Sequence, residues 1–368
     1  METIAMALAL QAVLDGKPRF RLLEGPTPIQ RLNRLEQMLG EAAGGARLWV
    51  KRDDLMGVGG GGNKLRKLEF LIGEAIARGC DTFITTGGLQ SNHARQSAAA
   101  STRAGLACEL MLSDIVPRHD DAYRTNGNLL LDDLFGARVH RLPGNIDALA
   151  TAEARAQELG REGHRAYVVG AGGSSPLGCL GYVACAAEIL ASERESGRRF
   201  DAIVVPNGSS GTHAGLAAGL AAAGDDPRRV LSFTVLAPLE KALDDTRRLA
   251  AEALALAAPD LTLDSDAIAI DGSQRGAAYG VPTAAMLDAL RTMARSEGLL
   301  LDPVYSGKAF AGFLQRAQSG CWRDRDALFI MTGGVPGLFA YRDVIASDGQ
   351  KSRAREGDQP ALARPVQS

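Results

Sequence analysis

The segment Lys51 to Leu71 reads KRDDLMGVGGGGNKLRKLEFL and settles the architecture before any other part of the chain. It leaves a short β-rich run at residues 48–51, crosses the glycine-rich loop 57–62, and from Lys64 repeats apolar residues at helical spacing. Strand, loop and helix in that order open a βα unit, the element from which parallel sheets covered by helices are built. Further strands are expected at 82–86, 107–112, 138–142, 166–169, 202–206, 231–236, 267–270 and 327–331, with helical patterning between them. The class is therefore α/β. A chain of 368 residues is long enough for two domains, although no Pro- or Ser-rich linker marks a boundary and no internal repeat is present. Residues 1–17 precede the pattern, and 346–368 form a polar tail, so both ends read as loose.

Composition narrows the function. With 46% hydrophobic and 23% charged residues the chain is of ordinary globular type. Forty-one basic against 43 acidic side chains leave a net charge of -2, which provides no field to hold a nucleic acid or an anionic membrane. Five scattered cysteines without a CxxC pair argue against a disulfide framework and a structural zinc site, and favour a reducing, cytoplasmic setting. Neither a secretory leader nor a stretch of eighteen uninterrupted apolar residues is seen.

Four glycine clusters, at 57–62, 87–88, 208–211 and 333–337, each follow an expected strand. Loops leaving the carboxyl ends of parallel strands converge on the ligand crevice, and glycine lets backbone approach a ligand closely. Any one cluster reads more readily as a tight turn; four together imply a site. The run GVGGGG contains GxGxxG, but the next strand ends in Thr85, Thr86, Gly87 and Gly88, with no acid for a ribose hydroxyl. A Walker loop fails because Leu65 follows Lys64 where Ser or Thr is required. NGSSGTHAG, from Asn207 to Gly215, offers amides and hydroxyls at a helix start, as a phosphate cradle or as a plain helix cap. It lacks the GxSxG of a hydrolase nucleophile.

Lysine is scarce, seven residues against 34 arginines. Lys17, Lys51, Lys241 and Lys351 have polar or charged neighbours and read as surface groups. Lys64 stands at the junction of the glycine loop and an amphipathic helix, where burial and the helix dipole lower an amine's pKa toward that of a usable nucleophile. A poised amine and a phosphate cradle in one α/β chain point to pyridoxal 5'-phosphate, whose aldehyde needs the one and whose phosphate needs the other.

Seven segments carry a resemblance: the opening run, GGLQSNHARQSAA, TNGNLLLDDLFGA, GSSGTHAGLAAGL, YGVP, LLLDPVYSGKAFAG and TGGVPGLFAY. In order and spacing, from Arg19 to Tyr341, the chain resembles the D-cysteine desulfhydrase and aminocyclopropane-carboxylate deaminase family of fold-type II pyridoxal-phosphate enzymes. The resemblance implies two open twisted parallel-sheet α/β domains: a large cofactor domain from 1–60 and 177–368, and a smaller inserted domain at 61–176. It implies Lys64 as the Schiff-base lysine, Lys67 with Ser210, Gly211 and Thr212 as phosphate contacts, and Ser91, Asn92 and His93 as the loop receiving the substrate carboxylate. Asn92 then also faces the ring hydroxyl. Tyr279 and Tyr305 match the family's two active-site tyrosines, and related enzymes are commonly homodimers.

Two positions separate the branches. Deaminases carry Glu after the DPVY tyrosine and Leu before the last GG, whereas this chain has Ser306 and Thr332, as in the desulfhydrase branch. A carboxylate facing the pyridine nitrogen keeps it protonated, and a neutral hydroxyl does not. The weaker electron sink suits α-proton removal better than opening a cyclopropane. The expected activity is α,β-elimination on a small amino acid, D-cysteine, to pyruvate, ammonia and sulfide, with Lys64 as base and a tyrosine as acid. Cysteate sulfo-lyase, cyclopropane deaminase and a pyridoxal-phosphate-binding protein without lyase activity are the alternatives.

Overall fold

The computed structural model describes residues 2–346; the expected tail lies outside the described residues except for its first position. Among the described residues ten strands form two sheets. Strands β1 (Ile29–Arg31), β2 (Arg47–Lys51), β7 (Ala202–Asn207), β8 (Val230–Thr234), β9 (Ala269–Asp271) and β10 (Asp326–Ile330) make one, ordered β1-β2-β10-β7-β8-β9. Strands β3 (Thr82–Gly88), β4 (Ala107–Asp114), β5 (Arg138–Pro143) and β6 (Ala166–Val169) make the other, ordered β5-β4-β3-β6. Every pairing is parallel except β1 with β2.

The six-stranded sheet buries both faces, as the continuous apolar runs of its central strands require. Along β10, Leu328 and Ile330 enter one core with Phe70, Tyr182 and Leu220, while Ala327 and Phe329 enter a second with Phe310, Phe313 and Trp322. Strand β7 alternates likewise, Ile203 and Val205 against Ala202 and Val204. Successive residues of a strand face opposite sides, so one short apolar run serves two cores. The helix Lys64–Ala77 packs on the helix Pro176–Ser196 so closely that a Cβ on Gly181 would lie 2.2 Å from the Arg66 carbonyl oxygen.

Two expectations are corrected. The first residues are not loose: Glu2–Asp15 is a helix whose Leu10 and Leu14 are buried in the first core. Lys51 is not a surface group: it is 1% exposed, and its ammonium bonds Glu188 at 2.8 Å and the Thr27 carbonyl at 3.1 Å. Of the charges of KRDD that suggest solvent, Lys51 and Asp53 face Glu188 and Arg66 from other segments, while Arg52 and Asp54 pair with each other. Strand β1 was absent from the expected set; three residues at a sheet edge carry too short a pattern to read.

Candidate active site

The carboxyl ends of β3, β7 and β10 open on a cavity of about 220 Å³. Its lining includes Lys64, Ser91, Asn92, His93, Ser210, Thr212, Tyr279, Tyr305 and Thr332, drawn from segments far apart in the chain. Lys67, Gly211 and Ser306 are buried and do not line it.

Lys64 begins its helix directly after the glycine loop. The helix start is capped from outside: Gln96 Oε1 accepts from the amides of Lys64 at 3.0 Å and Leu65 at 3.2 Å, while its Nε2 donates to Asn92 O at 2.9 Å. One side chain thus joins the lysine's helix to the loop of Ser91 to His93. Arg95 holds the preceding loop, bonding Gly59 O at 3.0 Å and Gly61 O at 2.9 Å. Lys64 Nζ donates to Asn63 Oδ1 at 3.1 Å, and Asn63 Nδ2 donates to Thr212 Oγ1 at 3.1 Å. Burial, then the neighbouring charge of Lys67, takes the Lys64 amine well below its usual pKa, and the more distant Asp302 only partly opposes this. The result is an amine that gives up its proton more readily than an ordinary lysine, and so is better suited to act as a base and nucleophile in a cleft.

On one side of Lys64 the helix Gly211–Ala222 starts from Ser210, held at φ 65° in the left-handed region where a non-glycine residue is strained. The first intrahelical bond runs from the Ala214 amide to Ser210 O, so helix geometry leaves the Thr212 and His213 amides free to meet an anion. A Cβ on Gly211 would lie 2.7 Å from Lys67 Nζ and 2.6 Å from Ser174 Oγ, so any side chain there would displace both groups. Lys67 lies fully buried beneath the turn, donating to Ser174 Oγ at 2.8 Å and Gly172 O at 3.1 Å; Ser174 in turn meets Ser209 Oγ at 2.8 Å. Burial lowers the Lys67 pKa to about 8. A strained turn, a helix start and a buried ammonium fit a phosphate group, and the depressed amine of Lys64 fits the aldehyde of pyridoxal phosphate.

On the other side, Ser91 caps the helix Asn92–Ala104 by accepting from the Ala94 amide at 3.1 Å. Asn92 Oδ1 accepts from Asn128 Nδ2 at 3.0 Å, which fixes the orientation of its amide. Thr85 donates its hydroxyl proton to Val169 O at 2.8 Å, so it must accept from His93 Nε2, also at 2.8 Å. His93 is therefore the Nε2–H tautomer, and burial, then the charges of Lys64 and Lys67, keeps it neutral.

Tyr279 and Tyr305 meet hydroxyl to hydroxyl at 2.5 Å. A Cβ on Gly88 would lie 3.6 Å from the Tyr279 ring, and one on Gly208 would lie 2.9 Å from the Tyr305 ring. Tyr279 thus stands over the loop of Ser91, and Tyr305 over the strained turn. Burial pushes Tyr279 up to about 12 and Tyr305 well above its usual range, so both keep their protons at neutral pH.

Of the two branch-marking hydroxyls, Thr332 lines the cavity and Ser306 is fully buried. The Ser306 hydroxyl donates to Asp302 Oδ1 at 2.6 Å and accepts from the Asp302 amide at 2.8 Å, which commits it to the start of the helix Ser306–Gln318. Sequence reasoning missed Asn63, Gln96, Ser174, Asp302 and Lys308. All but Ser174 sit inside recognised motifs, yet each acts through contacts that no local spacing reveals.

A model of the pyridoxal-phosphate dependent enzyme family matches residues 20–333. A D-cysteine desulfhydrase of Serratia proteamaculans is 41% identical over 342 residues, covering 91% of this chain and 99% of the relative. One from Salmonella paratyphi B is 40% identical over 328 residues, covering 88% and 96%. Among solved structures, an ACC deaminase homologue superposes with a TM-score of 0.81 at 36% identity, covering 92% of this chain and 98% of that one. A pyridoxal 5'-phosphate-dependent aspartate racemase, TM-score 0.60 at 16% identity, shares the fold.

Proposed function

Because the chain belongs to the family of pyridoxal-phosphate dependent enzymes, we propose that it is a carbon-sulfur lyase that converts D-cysteine and water to pyruvate, ammonia and hydrogen sulfide. The observation that carries this reading is one cavity in which a depressed lysine, an anion-receiving loop and a paired phenol converge. Pyridoxal 5'-phosphate, when bound, supplies the electron sink that lets a proton leave Cα. Lys67, Ser210, Gly211 and Thr212 would hold its phosphate, Lys64 its aldehyde carbon, and Thr332 the ring-nitrogen end, with Ser306 behind it.

The substrate carboxylate is received by Ser91, Asn92 and His93 at the start of their helix, where the dipole favours an anion. Lys64 takes the Cα proton at Nζ, a task its lowered pKa suits. Tyr279, on the carboxylate side, gives its phenolic proton to the departing sulfur, and Tyr305 holds the Tyr279 oxygen. The Cα–H and Cβ–S bonds break, and the released aminoacrylate adds water to give pyruvate and ammonia. Among the charged side chains lining the cavity there is Lys64 and no arginine, while His93 is neutral. A thiol asks for no more; a sulfonate needs a cation at Cβ.

The remaining parts of the reading are a cytoplasmic setting, supported by four buried free thiols, and a homodimer, which rests on the family resemblance. Among the described residues no helix is long and apolar enough to cross a membrane. The distribution of strands between two sheets supports a division into 1–60 with 177–368 and 61–176.

Pyruvate release measured with D-cysteine, L-cysteine, both cysteates, 3-chloro-D-alanine and aminocyclopropane carboxylate tests the proposal. D-Cysteine and chloro-D-alanine are expected to react, cysteate slowly and the cyclopropane not at all. Dominant turnover of cysteate or of the cyclopropane sinks the substrate assignment and leaves the cofactor in place.

A further inference from the structure

Tyr279 lies on an irregular segment, residues 272–283, between β9 and the helix Ala284–Glu297. Inside it two weak backbone turns are made, Arg275 N to Gly272 O at 3.4 Å and Val281 N to Ala278 O at 3.3 Å. Such a segment has to be fixed by its surroundings if a phenol on it is to sit at 2.5 Å from another.

The fixing comes from side chains aimed at its carbonyls. Lys308, fully buried, donates from Nζ to Arg275 O at 2.7 Å and to Ala278 O at 3.3 Å, the carbonyl just before Tyr279. Tyr341 donates to Gly280 O at 2.8 Å, the carbonyl just after it. Arg275 reaches outward to Leu236 O at 3.1 Å. Burying an ammonium is costly unless its donors are used, and Lys308 directs its own at backbone carbonyls. The carbonyls of this segment are its compensation.

Lys308 also stands three residues after Tyr305 on the same helix start. Tyr305 and the tether of Tyr279 therefore move as one body, anchored by Asp302, which accepts from the amides of Val304 and Tyr305 at 3.0 Å and of Ser306 at 2.6 Å. We propose that Lys308 is a positioning residue for proton delivery: it ties the Tyr279 segment to the helix of Tyr305 and so sets the phenol pair before substrate arrives. The inference rests on the reading of Tyr279 as the acid that serves the leaving sulfur.

The tests are Lys308→Met, which keeps length without donors, and Lys308→Gln, which keeps two donors without charge. Chloride departs without a proton, so the leaving group separates positioning from packing. Lys308→Met should lower kcat for D-cysteine about tenfold while changing chloro-D-alanine turnover less than about threefold, with KM for both nearly unchanged and Lys308→Gln between the two. Amide exchange in peptides covering 272–283 should quicken by about tenfold or more in Lys308→Met, without a matching change in the helix Lys64–Ala77. Equal losses for both substrates, or unchanged exchange at 272–283, would overturn the proposal and leave Lys308 a packing residue. If the parent enzyme fails to release sulfide from D-cysteine, the lyase reading fails, and the exchange result still decides whether Lys308 tethers the segment.

Discussion

The helix Lys64–Ala77 carries two kinds of buried charge, and they behave in opposite ways. On one face Arg66 meets Asp53 at 2.9 Å and Glu188 at 2.7 Å, and Asp53 also accepts from Thr27 at 2.7 Å and Tyr182 at 2.6 Å. Burial pushes the Asp53 carboxyl up, but Arg66 and the hydrogen bonds outweigh it and hold the pKa below the usual value. On another face Lys64 and Lys67, one turn apart, make no ion pair among the described residues, and both are pulled below their usual range. A satisfied buried cluster stabilises the fold, or at least costs little; an unsatisfied one of like sign is retained because it acts. The helix is a wall of the protein on one side and a tool on the other.

Substituting each face should therefore separate function from stability. Lys64→Ala removes the base at Cα, and turnover of D-cysteine should fall by at least about 10⁴, equivalent to ~5.5 kcal/mol on the barrier. The same variant should unfold at an equal or higher temperature, because it removes a poorly paired buried amine. Retained turnover, or a marked loss of stability, would erase the distinction between the faces. Asp53→Asn should do the reverse. It leaves Arg66 with Glu188 alone and should cost about 3 to 4 kcal/mol in denaturant unfolding, with kcat of the folded fraction changed less than about threefold. A stable Asp53→Asn enzyme with collapsed kcat would show that the ion cluster is part of the site.

The two faces were not equally legible in the sequence. The tool face sits among glycines and hydroxyls in linked motifs, so Lys64 and the turn of Ser210 to Thr212 stood out from local order, whereas Lys67 came only with the family resemblance. The nine expected strands were also found, because their apolar runs are sharply bounded by turn residues. The wall face was misread. Lys51 lies in a run of four charged residues, which looks like a solvated edge, and its partner Glu188 stands 137 residues away. The same blindness to distant contacts hid Lys308, whose acceptors are carbonyls of another segment, and the helix Glu2–Asp15, whose burial depends on a core assembled from the other end of the chain. Ser306 shows the converse: a motif position marked it for the cavity, and the neighbouring Asp302 holds its hydroxyl instead.

The smallest expected effect discriminates most finely, because it asks whether Lys67 is an unsatisfied ammonium awaiting an anion. Its pKa falls from 10.5 to about 8 in the folded chain. Between those values the unfolded state holds a proton that the folded state has lost, so Lys67 makes stability rise with pH across this window, by up to ~1.4 kcal/mol per pH unit. Other groups run the opposite way there: buried Cys108 and Cys185, raised to about 12, keep protons that the unfolded chain releases. Only a difference isolates the lysine. The stability of Lys67→Met minus that of the parent, both free of cofactor, should be greatest below pH 8 and shrink steadily toward pH 10. Adding pyridoxal phosphate should flatten that trend in the parent, since a phosphate over the strained turn returns the ammonium to its usual range. A difference that stays level with pH without cofactor would mean that Ser174 and the Gly172 carbonyl already satisfy Lys67, and that this face of the helix is as settled as the other.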